Sequence, residues 1–285
     1  TSPLEQMTPN AWFLRASESD LDTRTSHAGF LGFYAADECR GDLASNVFGH
    51  YQRMKSVDRD GLVLGTLLGN SQLALWPESV DLLATDPYPL YGAEPAGGYD
   101  FGLVADWTRR ARATVRDSRP IVTVLQFFKF TSKGRWPTQA ELRNMSYMAI
   151  AEGANGLLYW SLGANALAYV CSGWCDEKVE YFNRLKAVMQ ELKGLEAALV
   201  APDRPDLLVA NSNPAVRTRV KYAGGNAYII AYNSTSAPVS ATFTTSFLPA
   251  SVSVYGEGRS IPVSGGSFSD SFGPWEAHVY VVGQR

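Results

Sequence analysis

PTQAELRNMSYMAIAEGANGLLYWSLG, residues 137–163, holds a complete helix-to-strand unit. Thr138 stands where an N-cap is needed and Glu141 follows three residues later. That is the pattern of a capping box, in which each side chain satisfies a backbone N–H left unbonded at the helix start. Leu142, Met145, Met148 and Ala149 recur at helical spacing and give the helix an apolar face. Gly153 ends it, and residues 156–161 read as a strand that is apolar at successive positions, the mark of a strand buried on both faces.

The same alternation extends towards the amino terminus. Short apolar strands at residues 30–36, 61–68, 80–85 and 121–128 are separated by helical stretches at 43–56 and 101–115, and a long helix at 177–199 follows the last strand. Buried strands joined through helices predict a parallel sheet. After Pro202 the pattern changes. Residues 207–210, 216–222, 226–232, 241–244, 252–255 and 278–282 alternate in polarity and are divided by turn pairs such as Gly224-Gly225 and Gly265-Gly266, which predicts a small antiparallel β-sandwich. The fold class is therefore α/β plus all-β, with residues 1–202 forming the parallel part and 203–285 the accessory β domain.

Composition narrows the function. The 285 residues are 46% hydrophobic, 12% aromatic and 19% charged, with a formal charge of −3, so a packed core is expected, and no dense Lys/Arg block marks a nucleic-acid binder. No apolar run reaches the roughly 20 residues of a membrane-spanning helix, and no membrane partner is expected. The chain starts with Thr, and its first ten residues lack the basic and apolar regions of a signal peptide; a front piece is expected to be missing. Cys171 and Cys175, in CSGWC, are close enough in sequence to form a small disulfide loop, leaving Cys39 over; three reduced thiols are the other reading. That loop and the Ser/Thr-rich carboxyl-terminal third point to a secreted or periplasmic protein. Sequons occur at Asn144, within a helical pattern, and at Asn233.

In parallel α/β folds the reacting groups gather where strands end. The strand ends here carry Tyr34, Asp37 and Glu38; Asn70; Asp86 and Tyr88; Gln126; and Tyr159 with Trp160. There is no metal set, because His27, His50 and His278 fall on none of these ends, and no phosphate-binding glycine loop or GxSxG elbow, so no cofactor is implied. Carboxylates, amides and aromatics suit sugars: aromatic faces stack on pyranose rings, amides and carboxylates bind hydroxyls, and two carboxyl groups can cleave a glycosidic bond unaided. Glu38 is the candidate proton donor, with Asp37 or Asp86 as the second carboxylate. Tyr34, Asn70, Tyr88, Gln126 and Trp160 are the candidate substrate contacts. The competing reading makes Asp37 and Glu38 solvated loop residues, with Glu38 capping the helix from Leu43, and makes Tyr34, Phe127 and Phe128 core.

GFLGFYAADE at 29–38 resembles the segment around the acid/base glutamate of (β/α)8-barrel glycoside hydrolases related to clan A. LLATDPYPLYG at 82–92, PIVTVLQFF at 120–128 and residues 137–163 resemble the sixth, seventh and eighth units of those barrels, and FGPWEAHVYVV resembles the end of the sandwich that follows them. The resemblance implies strands four to eight of a TIM barrel followed by a β-sandwich, and a carbohydrate substrate. Two positions depart from the pattern: Asp37 precedes Glu38 where Asn is usual, and Gln126 stands where the seventh strand carries a nucleophilic Glu. Three accounts of the second carboxylate stay open. Asp37 could orient a substrate N-acetyl group, since an adjacent Asp-Glu also resembles hexosaminidases; Asp86 could act as base or nucleophile; or the group could lie outside this chain. A non-catalytic carbohydrate-binding protein on the same barrel is the alternative function. Five strands do not close a barrel of eight, so an amino-terminal fragment or a partner chain is expected to supply the first three.

Overall fold

The computed structural model describes residues 13–15, 30–39, 44–67, 78–129, 134–160 and 176–283. Its parallel part comprises β1 (Phe13–Arg15), β2 (Phe30–Cys39), α1 (Ala44–Val57), β3 (Leu62–Leu67), β4 (Leu82–Thr85), α2 (Gly102–Val115), β5 (Ile121–Gln126), α3 (Gln139–Ala151), β6 (Gly156–Trp160) and α4 (Asp176–Gly194). β1 to β6 form one sheet in the order of the chain, and the pairings from β1 through β5 are parallel. An order that never turns back is that of a singly wound barrel, because doubly wound sheets reverse at a switch point. The sheet has six strands where the sequence predicts five. The additional one, β1, is three residues long and too short to show a periodicity. By internal contacts the chain divides into two compact units, Thr1–Pro87 with Trp107–Val124 and Tyr88–Asp106 with Leu125–Arg285.

In the first unit, successive strand residues face opposite ways. Leu64, Ala84, Val122 and Val124 are buried on one face, with Tyr34 and Leu82 packed on them. The other face buries Leu83 and Ile121 with Val47 of α1 and Ala111 and Val115 of α2. The amino-terminal ends of β3 and β4 are tied to α1 through Asp81. Its carboxylate accepts from Lys55 Nζ at 2.9 Å, the Tyr51 phenol at 3.1 Å and the Val63 N–H at 3.0 Å.

In the second unit, α3 is as predicted. The Glu141 N–H donates to Thr138 Oγ1 at 3.2 Å and the Thr138 N–H donates to Glu141 Oε2 at 2.8 Å. Leu142, Met145, Met148 and Ala149 are fully buried. The helix predicted at 177–199 divides instead into α4 and a single turn, Glu196–Leu199.

The β domain, also in this unit, contains β7 (Leu208–Asn211), β8 (Val216–Ala223), β9 (Asn226–Asn233), β10 (Val239–Thr245), β11 (Ser251–Val254), β12 (Arg259–Pro262), β13 (Ser267–Phe272) and β14 (Ala277–Gly283). They form two antiparallel sheets, β13-β10-β7 and β12-β11-β14-β9-β8. Phe243, Phe268, Phe272 and Tyr280 contribute rings to the core of this domain. The β8–β9 hairpin turns through Gly224 and Gly225, both at positive φ (56° and 81°). A type I′ turn requires this of both central residues and an L side chain resists it. β12 and β13 escape the sequence reading because RSIP and SFSDSF are mostly polar.

Both sequon asparagines are engaged. Asn144 Oδ1 accepts the Ala277 N–H at 3.2 Å. Asn233 is fully buried; its Nδ2 donates to Ala237 O at 2.7 Å and Gly273 O at 2.8 Å, and its Oδ1 accepts the Thr235 N–H at 3.0 Å. A glycan on that nitrogen is incompatible with these bonds.

α3 is bound to the sandwich by charge as well as by packing. Arg143 donates to Glu191 of α4 at 2.9 and 3.1 Å, to Ala277 O of β14 at 2.5 Å and to Glu257 at 3.4 Å. Beyond Glu257 the network continues. His278 Nδ1 lies 2.6 Å from Glu257 Oε1, Arg259 bonds Glu257 and Asp270 at 2.8 Å each, and the Tyr280 phenol donates to Asp270 at 2.9 Å. Burial pushes both carboxyls up, but His278 beside Glu257 and Arg259 beside Asp270 outweigh it and hold both below the usual carboxylate range. The unfolded chain takes up these protons first, at about pH 4. The stability they supply is therefore full above about pH 4 and is lost as pH falls towards their lower folded values. Urea denaturation over an acidic pH series is expected to show that decline, and Asp270→Asn to flatten part of it; an unaltered slope would remove Asp270 from the account.

Candidate functional site

In the first unit, β2 does not stop at Ala36 as the sequence predicts but runs to Cys39. Its pairing with β3 slips between Tyr34 and Ala36 and again between Ala36 and Cys39. Irregularities of this kind recur beside active sites, where they re-aim the chain. Asp37 and Glu38 thus belong to the carboxyl-terminal end of a parallel strand. One turn of pleat earlier, the half-buried Tyr34 donates its phenol proton to Thr66 Oγ1 of β3 at 2.9 Å. Thr66 is 2% exposed and was not marked by any sequence signal beyond its place in an apolar strand.

Asp86 directly follows β4 and is 3% exposed. A carboxylate so nearly removed from water at the carboxyl end of a barrel strand is the kind of group from which active sites are built. Next to it, the buried Thr85 hydroxyl has no hydrogen-bond partner among the described residues. On β5, Thr123 shares a hydrogen bond with Thr108 of α2 at 2.9 Å, so this hydroxyl faces the helix. Asn70, Cys171 and Cys175 lie outside the described residues.

In the second unit, Gln126 is fully buried at the last position of β5. Its Oε1 accepts the Leu90 N–H at 2.9 Å, and its Nε2 donates to Leu90 O at 3.2 Å and Phe128 O at 3.1 Å. Both ends of the amide are engaged by backbone, so here Gln126 clamps the segment after β4. Tyr88, in that segment, meets Phe128 edge-on at 5.0 Å between ring centroids. Phe127 is core, 5.3 Å from Trp136. Of the adjacent pair ending β6, Tyr159 packs towards α3, shares a hydrogen bond with Ser146 at 2.8 Å and has its phenol pushed up to about 12 by burial. Trp160 is the outward one, 55% exposed. Among the described residues no cluster of His, Cys, Asp and Glu is placed to hold a metal.

The chain matches no family model and no curated protein. Its structure is similar to several solved ones. An α-amylase of Anoxybacillus gives a TM-score of 0.55 at 12% identity over 91% of this chain and 60% of that one. A GH30 endoxylanase of Clostridium papyrosolvens C71 gives 0.52 at 14%, over 94% and 72%. A GH27 β-L-arabinopyranosidase of Geobacillus stearothermophilus, solved as a variant with arabinose, gives 0.56 at 9%, over 90% and 59%. The chain thus spans about 60% of the length of the first and last of these. At such identities the likeness establishes the fold, part of a TIM barrel joined to an all-β domain, and the resemblance to glycoside hydrolases read in the sequence is met by the structures it matches.

The clamp has a measurable weight. Gln126→Ala leaves the Leu90 N–H without its side-chain acceptor, at a cost of about 1–3 kcal/mol for a buried donor. A lower urea midpoint together with faster hydrogen exchange at Leu90 is the expected result; exchange at wild-type rates would mean the segment is held by other bonds.

Proposed function

We propose that this chain belongs to a glycoside hydrolase and carries its proton donor. The observation that carries the reading is the pairing of Asp37-Glu38, at the carboxyl end of β2, with the buried Asp86, at the carboxyl end of β4, in one singly wound parallel sheet. Fold similarity to hydrolases of starch, xylan and arabinosides supports the reaction class and leaves the sugar open. In the proposed reaction Glu38 gives its proton to the glycosidic oxygen as the bond from that oxygen to the anomeric carbon breaks. A second carboxylate either stabilises the positive charge on that carbon by attacking it, or takes a proton from the water that does. Alternation along β4 puts Asp86 on the side of Leu82 and Ala84, the face that also carries Tyr34, and this favours Asp86 for the second role. Asp37 is the alternative, as orienter of a substrate N-acetyl group. A carboxylate separation of about 5 Å corresponds to retention and one of about 6.5–9.5 Å to inversion.

Two further parts belong to the proposal. An amino-terminal segment or a second chain completes the barrel; the reading is supported by β1 and β6 standing at the ends of an open order among the described residues and by Leu158 and Trp160 of β6 being 41% and 55% exposed. The protein works in an oxidising compartment, with Cys171 paired to Cys175. Thiol titration of the unfolded protein is then expected to find one reactive cysteine before reduction and three after it; three from the outset would remove the disulfide.

A second reading, a carbohydrate-binding protein without turnover, is supported by Gln126: the sequence resemblance puts it where a nucleophilic Glu is usual, and its amide is engaged by backbone. A panel of chromogenic aryl glycosides, N-acetylhexosaminides included, separates the two. The hydrolase reading expects Glu38→Gln to lower turnover by about 10²–10⁴-fold, the typical share of general acid catalysis, with binding retained. An undiminished rate overturns the assignment of Glu38, and sugar binding without hydrolysis of any of these glycosides favours the second reading.

A further inference from the structure

We infer that a cleft in the second unit, lined by Glu94, Tyr99, Glu141, Asn144, Ser236 and Trp275 among others, is an additional sugar-binding site for a neutral glycan chain. Its volume is about 310 Å³, at the lower end of the roughly 300–1,000 Å³ of small-molecule sites. It shares no residue with the proposed catalytic set. From the proposed function it takes only the substrate class; the selection of a sugar rests on its own chemistry.

The cleft is built around Trp275. The Glu276 N–H donates to Gly273 O at 3.2 Å, closing a four-residue turn with Pro274 second and Trp275 third. Trp275 has φ 58°, the left-handed conformation that this turn position normally assigns to glycine. A bulky side chain held there is a backbone outlier, and such outliers persist where the surroundings over-determine them. The surroundings do so here. The Trp275 N–H donates to Thr235 O at 3.0 Å. Asn233 ties the Ser236 loop and the Gly273 turn together through Ala237 O and Gly273 O. The indole edge lies about 3.1 Å from where a Cβ on Gly102 would stand, so the ring packs closely on the start of α2 and a side chain there would crowd it. The wall is therefore shaped before any ligand arrives, which lowers the entropic cost of binding.

The electrostatics select the ligand. Arg135, the cation beside the cleft, is engaged by both of its carboxylates: its Nη atoms bond Glu141 at 2.7 Å each and its Nε bonds Glu94 at 3.2 Å. Its guanidinium also lies 5.2 Å from the centroid of the Tyr99 ring. A phosphate or carboxylate ligand would compete with two carboxylates for one arginine. Two acids already paired to a guanidinium also make a weak cation site. What the cleft offers is acceptors, an amide, a hydroxyl and an indole, the combination that binds ring hydroxyls and stacks on a pyranose.

The test is the indole ¹⁵N–¹H resonance of Trp275 in tryptophan-labelled protein, assigned through Trp275→Phe and titrated with maltohexaose, xylohexaose and cellohexaose. At least one hexaose is expected to move that resonance along a saturable curve, and Ser236→Trp, which fills the cleft and leaves Trp275 in place, to weaken the response at least tenfold. A Trp275 signal unmoved by all three, moved equally in Ser236→Trp, or moved by inorganic phosphate alone overturns the site. The two proposals fail separately. A saturable Trp275 shift in a protein that hydrolyses no glycoside keeps this site and sinks the hydrolase, whereas Glu38-dependent turnover with a silent Trp275 does the reverse.

Discussion

The second unit depends on α3 being buried on two sides at once, and Arg143 makes that possible. A helix whose exposed stripe is covered by a β-sandwich must place its polar residues where partners wait. The Arg143 side chain, only 17% exposed, reaches Glu191 on α4, the Ala277 carbonyl on β14 and Glu257 in the turn after β11. Tyr147, one turn on, donates to Glu191 at 2.7 Å and lies under the same guanidinium. At the other end of the helix Glu152, 5% exposed as a side chain, receives the Tyr232 phenol at 2.6 Å and Arg217 at 2.8 Å. Each charge is compensated, and removing a partner of the buried Glu152 carboxylate leaves that charge less well paired away from water, which is costly. Apolar packing holds α3 in place; these bonds fix its rotation and register against the strands.

The two ends of the strands in the first unit carry polar groups of different kinds. At the amino-terminal ends, Lys55, Tyr51 and Asp81 form a closed set of bonds that fasten α1 to the sheet. At the carboxyl ends stand polar groups of another kind: a buried Asp86, a Thr66–Tyr34 pair and a strand whose pairing slips twice as it reaches Asp37 and Glu38. Barrels keep their reactive groups at this end because the loops there can vary without disturbing the layers of side chains below.

What could be read from the sequence followed from how local the determining interaction is. The capping box of Thr138 and Glu141 spans three residues, and the apolar stripe of α3 spans two turns, so both were legible. The buried strands announced themselves as apolar runs, and Gly224-Gly225 marked a hairpin. β2 extends three residues beyond its apolar run, and Asp-Glu-Cys looks like a loop until its pairing with β3 is known. β12 and β13 were hidden by serines on their exposed faces. The backbone bonds of Gln126 are invisible in the sequence because its partner, Leu90, is 36 residues away in the chain. The Trp275 turn is not legible in the sequence, since nothing in Pro-Trp-Glu betrays a positive φ.

The unreversed strand order also bears on how the molecule is made. Every strand of the parallel sheet from β1 to β6 takes as its partner the strand that precedes or follows it along the chain, so each can dock as soon as it leaves the ribosome, without waiting for a distant segment. The sheet grows at one moving edge. That edge is a template of unpaired backbone for whatever parallel strand comes next, and it accepts a strand on geometry, whether the strand is tethered or arrives free in solution. A barrel assembled this way can be cut between units and rejoined, and the position of the cut is then a matter of gene structure, not of chemistry.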